Sequence, residues 1–112
     1  MPNLIMRASG EASNAGGMVA GSYFGNGQAN QVINLGFTPV AVFVAISLNP
    51  SGDATAGSLA NSYLATTDVA AKWGGNTQLE IVANGFRVVI GNGNYFQNTN
   101  VNGARYNYIA FK

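Results

Sequence analysis

An antiparallel all-β sandwich of about six to eight strands is what this sequence predicts, and three observations predict it. Apolar runs of five to nine residues, rich in Val, Ile, Phe and Tyr, alternate with Gly/Asn turn signals at short spacing. No segment carries helical periodicity. The longest apolar run, Val40–Leu48, has neither of its faces polar, as in a strand covered on both sides.

Residues 1–17 precede the first clear strand. Leu4-Ile5-Met6 has the composition of a short edge strand, but Ala8–Gly17 is small and flexible in composition. The segment reads as an arm, either a terminus without fixed structure or an arm that docks on a neighbour by edge-strand addition. Residues 18–112 then read as one sandwich domain. Met18–Phe24 is a strand ending at the hairpin-type turn Gly25-Asn26-Gly27. Gln28–Leu35 follows, with Ile33 and Leu35 on one face and Gln28, Asn30, Val32 and Asn34 on the other. Gly36-Phe37-Thr38-Pro39 breaks the ladder, because Pro fixes its φ and donates no hydrogen bond. Val40–Leu48 places Val40, Val42, Val44, Ile46 and Leu48 against Ala41, Phe43 and Ala45, and reads as a central strand.

Asn49–Ser58 is a polar loop and Leu59–Thr66 a further strand. Thr67–Asn76, with Trp73 and Asn76, reads as loop or a single helical turn. Leu79–Ala83 and Phe86–Ile90 flank Asn84-Gly85, a hairpin signal because both residues tolerate positive φ. Gly91–Asn100 is a second loop, holding Tyr95 and Phe96. The terminal strand within Val101–Lys112 places Ala104, Tyr106, Tyr108 and Ala110 on one face, and Arg105, Asn107, Ile109 and Phe111 on the other. It reads as the strand that closes the core, with its second face against another layer or subunit.

Composition narrows function. The chain has 112 residues, 47% of them hydrophobic and only 8% charged, with net charge +1. That charged content is about a third of the globular norm. Few charges need desolvating when such a surface packs against copies of itself. With no Cys and no His there are no disulfides, thiolate or imidazole groups, and no usual zinc ligands. The expectation is accordingly no metal and no cofactor. Five basic residues spread singly do not form a nucleic-acid-binding patch, and no run of about 18 apolar residues offers a membrane span. Absence of Cys and of a signal-like N-terminus fits synthesis in a cytoplasm.

Four carboxylates are present, Glu11, Asp53, Asp68 and Glu80, in an arm, two loops and a hairpin strand. Paired acid/base chemistry needs two of them at a defined separation. Without His a hydroxyl nucleophile lacks its usual base, so the expectation is no catalytic residues and no enzyme activity. Gly25-Asn26-Gly27 and Gly91-Asn92-Gly93 lack the helix and Lys of a phosphate loop, and are turns. Trp73, Tyr95 and Phe96 fall in loops, and with Asn76 they are the candidate contacts to a protein partner or a glycan, since stacking rings and amides suit neutral sugars. The plainer expectation for Trp73 is a lid folded back over one end of the core.

Four motifs in order carry a resemblance: G-S-Y-F-G-N-G at Gly21–Gly27, I-N-L-G-F-T-P-V-A-V-F-V at Ile33–Val44, N-G-F-R-V at Asn84–Val88, and N-V-N-G-A-R-Y-N-Y-I-A-F at Asn100–Phe111. Together they resemble the β-sandwich domains of tailed-bacteriophage tail fibres and virion surfaces, over Gly21 to Lys112. The resemblance implies a virion structural protein on the particle surface, homo-oligomeric and trimeric as such domains usually are. It implies other virion proteins as partners and transfers no catalytic residue. The start at Met1 without shaft repeats leads us to expect a capsid decoration (cement) protein or small fibre subunit. A tail-fibre module binding a receptor or host surface glycan is the alternative.

Overall fold

The computed structural model describes residues 17–49, 51–52, 62–73, 75–90 and 98–112. Among these residues eight strands are formed: β1 (Met18–Phe24), β2 (Asn30–Asn34), β3 (Ala41–Leu48), β4 (Ser62–Thr66), β5 (Ala71–Trp73), β6 (Asn76–Val82), β7 (Gly85–Val89) and β8 (Arg105–Phe111). They lie in two four-stranded sheets ordered β1-β8-β3-β4 and β2-β7-β6-β5, with antiparallel pairing throughout. The expected all-β sandwich is the fold.

β8 holds the first sheet together. It runs in register with β1 from Met18↔Phe111 to Phe24↔Arg105 and pairs with β3 on its other edge. Its Tyr106 and Ala110 are buried, as the alternation predicts, together with Ala104 just before the strand. Val42, Val44 and Ile46 of β3 join them, and the second sheet contributes Leu79, Phe86 and Val88, all buried. Each such side chain stabilises the fold by about 1.5–3 kcal/mol through removal from water.

An aromatic group fills the middle of the core. The Tyr23 and Tyr106 rings stack at 5.0 Å between centroids, and Phe86 meets Tyr23 at 6.0 Å and Tyr108 at 5.2 Å edge-on. Burial pushes the Tyr106 hydroxyl up to about 12, with the Val101 N–H donated to it acting the other way and the neighbouring Tyr63 adding to the rise. Burial, followed by the proximity of Tyr106, raises Tyr23 well above its ordinary value. In the unfolded chain both titrate near about 10. Because the folded values are the higher ones, this contribution to stability is complete below about pH 10 and is lost as pH rises through about 12. The denaturation midpoint is expected to fall above about pH 10, with tyrosinate absorbance appearing together with unfolding. Tyrosinate forming fully before the fold is lost would contradict this.

Three expectations are corrected by position. The hairpin turn between β6 and β7 is shifted by one residue. Val82 pairs with Gly85, so Ala83 and Asn84 form the turn and only Asn84 has positive φ, 65°. Gly85 serves a different need: a Cβ there would lie 2.0 Å from the Ile33 carbonyl oxygen. Next, Thr67–Asn76 is not simply a loop, since Ala71–Trp73 is a strand that pairs with β6 across a bulge between Ala71 and Lys72. Three residues are too few to show an alternation, and their partner strand is what makes them extended. Finally, the end of Gly91–Asn100 is not surface loop, for Asn98, Thr99 and Asn100 are buried. The arm other than Gly17, the strand proposal at Leu4-Ile5-Met6, Leu59–Asn61 and most of the Asn49–Ser58 loop lie outside the described residues.

Pro39 is buried in the crossover between the sheets. The crossover also clamps the β6–β7 turn. Leu35 N and Gly36 N donate to the Asn84 carbonyl (2.8 and 3.2 Å), and Asn84 N donates to Thr38 Oγ1 (2.9 Å). The G-F-T-P corner and the N-G hairpin, distant in sequence, are thus one structural unit.

Candidate functional site

Of the four candidate contact residues, the structure brings two together. Trp73 and Asn76 are directly opposed across the β5–β6 pair, next to the turn that contains Gly75 (φ 84°). Opposed residues in an antiparallel pair project to the same face. Both are exposed, Trp73 to 51%, so the ring is presented outward and is not a lid over the core. Lys72 beside it is exposed as well. Tyr95 and Phe96 lie outside the described residues.

A larger surface was legible in the sequence only in part, through the second faces of Val40–Leu48 and of the terminal strand. The outward face of the first sheet carries, row by row, Met18, Phe111, Ala41 and Thr66; then Ala20, Ile109, Phe43 and Leu64; then Ser22, Asn107, Ala45 and Ser62. Phe24 and Arg105 begin a fourth row. Met18 is 63% exposed and Phe24 62%, while Leu64 and Phe111 are also exposed. Arg105 is the sole charged residue in these rows. The expectation that a second layer covers β3 and β8 on this side is not met within the described chain: Ala41, Phe43, Ala45 and Ile109 remain half-exposed and Asn107 is exposed. The opposite outer face differs in kind. There Arg87 donates through Nε and Nη2 to Glu80 Oε1, the Nε bond being 3.0 Å, and through Nη1 to Asn30 Oδ1, linking β7 to both neighbours. A contiguous apolar face of this kind on a chain so poor in charge is the physical mark of a protein-contact surface.

Behind these surfaces a buried polar junction joins the sheets. Asn100 Oδ1 accepts from Asn26 N (3.1 Å) and Gln31 Nε2 (2.8 Å), and its Nδ2 donates to Asn26 Oδ1 (2.8 Å) and the Gln28 carbonyl (2.9 Å). All four hydrogen-bonding positions of the amide are filled. Thr99 accepts from Val89 N at 3.0 Å and donates to the Gln78 carbonyl, standing between β7 and β6, while its carbonyl accepts from Tyr23 Oη at 2.7 Å. The junction is a tie and not a ligand site, because the Asn100 amide and the Thr99 hydroxyl are spent on protein partners.

Of the carboxylates, Glu80 is engaged by Arg87 and Asp68 sits exposed in the turn before β5, whereas Glu11 and Asp53 lie outside the described residues. Among the described residues no three His, Cys, Asp or Glu side chains gather as a metal site would require.

No family model matches this chain, and neither a curated protein nor a solved structure matches it.

Proposed function

We propose that this chain is a non-enzymatic structural protein of the bacteriophage particle surface, a capsid decoration protein or small fibre subunit that works by oligomeric assembly. The observation that carries the assembly role is the outward face of the β1-β8-β3-β4 sheet, with Met18, Phe24, Leu64 and Phe111 exposed around half-exposed Phe43 and Ile109. Leaving so many apolar groups in water is unfavourable by about 25 cal/mol per Å², and covering them with another protein surface removes that penalty. The phage assignment rests on the four ordered motifs from Gly21 to Phe111.

The test is the mass of the full chain in solution at micromolar concentration, compared with Leu64→Lys. Leu64 lies on β4, at the far flank of the face from β1, and its side chain is exposed, so the change leaves the core intact. The wild type is expected to associate, and the variant to associate at least tenfold more weakly at the same melting temperature. A wild type that stays monomeric, or association indifferent to the new charge, overturns the assembly role of this face.

One observation favours a second reading, a glycan-binding module. Trp73 opposite Asn76 sets an exposed ring beside an amide, an arrangement suited to stacking on a sugar face while hydrogen-bonding its hydroxyls. A glycan array comparing the wild type with Trp73→Ala distinguishes the two. Binding lost on substitution supports the glycan module, and no binding by either protein leaves assembly as the role.

A further inference from the structure

We infer that the free edge of β1 pairs with the same edge of a second copy around a two-fold axis at Gly21, joining two β1-β8-β3-β4 sheets into one continuous sheet. This deepens the assembly reading by naming the partner and the register, and it is tested separately from the face.

The direction of the backbone groups comes first. In the β1–β8 pair, Lys112 N donates to the Gly17 carbonyl, Gly25 N donates to the Ala104 carbonyl, and the Gly25 carbonyl accepts from Gly103 N. Hydrogen bonding in an antiparallel pair alternates along the strand. The odd-numbered residues from Gly17 to Gly25 therefore face β8. Met18, Ala20, Ser22 and Phe24 point their N–H and C=O groups away from it, along an edge that no strand covers among the described residues and where only the Phe24 carbonyl is engaged, accepting from Gln31 Nε2 at 3.1 Å.

Native proteins protect such edges with charges, Pro, bulges or shortness. The other three edge strands are less open. β5 has three residues, a bulge and Lys72. β2 has five residues, and its Asn30 is bound by Arg87. β4 also has five residues. β1 has seven, M-V-A-G-S-Y-F, with no charge, no Pro and an unbroken register. It also exposes two large apolar side chains, Met18 and Phe24, near its two ends.

A second copy fits this edge by symmetry. Antiparallel pairing of β1 with itself about Gly21 places Met18 opposite Phe24 of the second copy and Ala20 opposite Ser22, twice each. All four outward residues of each copy then become hydrogen-bonded pairs, giving about eight main-chain hydrogen bonds, of which the two to the Phe24 carbonyls share their acceptor with Gln31 Nε2 or displace it. Gly21 meets Gly21 at the centre in a non-hydrogen-bonded pair, where strands approach most closely and no Cβ intervenes. Each exposed Met18 is covered by a Phe24 on the outward face, so the apolar rows run unbroken across both copies. Shifting the register by two residues loses both Met18–Phe24 pairs or leaves outward groups unpaired.

The absence of cysteine from the chain makes a direct test possible. In the full-length double variant Met18→Cys/Phe24→Cys, opposed Cα atoms would be about 5.5 Å apart, within disulfide range. Within one chain the two positions are six residues apart along an extended strand, about 20 Å, so any disulfide formed is intermolecular. Mild oxidation is expected to convert most of the double variant to a covalent dimer. Either single variant is expected to remain at least tenfold less cross-linked, since its own two copies lie far apart. Ser22→Pro provides a second arm. It removes an N–H that β8 does not use, so the monomer keeps its melting temperature while self-association falls at least tenfold. Equal cross-linking of the single variants would overturn the register. A monomeric wild type, or edge pairing appearing only after removal of residues 1–16, would overturn the pairing itself, the latter showing that the chain covers its own edge. A trimer without cross-linking overturns this inference and leaves the role of the face standing, whereas a cross-linked dimer indifferent to Leu64→Lys does the reverse.

Discussion

Gly25→Ala is expected to lower stability by about 4 kcal/mol, which at this chain length moves the melting temperature down by on the order of 20 °C. The reason is the approach of two backbones. A Cβ on Gly25 would lie 2.0 Å from the Val101 carbonyl oxygen and 2.7 Å from the carbonyl carbons of Asn100 and Val101. These are main-chain atoms, so no side-chain rotation relieves the overlap. Gly25 is also held in place, with its N–H donated to Ala104 and its carbonyl accepting from Gly103. Gly36→Ala is the informative comparison. Gly36 has φ of 81° and nothing within 4 Å of its would-be Cβ, so that change is expected to cost about 1 kcal/mol through backbone strain alone. Thermal melts of both variants by circular dichroism check the pair. Equal shifts would show that the Gly25–Val101 approach is not what the glycine is for.

Asn100→Leu is expected to cost about 3 kcal/mol, although leucine is apolar and close in size. The wild-type amide fills four hydrogen-bonding positions between the β1–β2 connection and β2. Leucine leaves Asn26 N and the Gln28 carbonyl without that partner, and Gln31 Nε2 with the Phe24 carbonyl alone, in a junction where Asn100 itself is fully buried. A buried polar group left unpaired loses about 1–3 kcal/mol. Asn107→Leu, on the exposed outward face of β8, is the matched control and is expected to stay within about 0.5 kcal/mol of the wild type. Urea titrations resolve the difference, and similar midpoints for both variants would remove the junction from any account of stability. Gly25 and Asn100 meet at the same place, so their effects should combine less than additively.

These two positions also show where sequence reasoning stops. Gly25-Asn26-Gly27 reads as a turn, and residues at the end of Gly91–Asn100 read as loop, because Gly and Asn are the commonest turn formers. That reasoning is sound for the local chain. It is silent on burial, and here the turn and the end of that loop are packed on each other, with Asn26 and Asn100 standing 74 positions apart. Trp73 and Asn76 were singled out individually by residue type, but their opposition across β5 and β6 depends on a pairing that three residues of strand do not announce.

The outward face was hidden for a different reason. In β1 the alternation separates Met18, Ala20, Ser22 and Phe24 from Val19, Gly21 and Tyr23, and both sets contain large apolar groups. Periodicity divides the two faces without saying which is inside. Only the approach of the second sheet decides it, by covering Tyr23 and leaving Phe24 in water.

What the sequence determined by itself was the all-β class, the start and end of β1, the division of β8 into its two faces and the turn at Asn84, because each follows from backbone alternation and local φ preference over a few residues. What the tertiary structure alone decided was the strand order β1-β8-β3-β4 and β2-β7-β6-β5, the burial of Thr99 and Asn100, and the exposure of Met18, Phe24 and Leu64 on one face. Those depend on which distant strands meet, and a local pattern of polar and apolar residues is compatible with more than one such meeting.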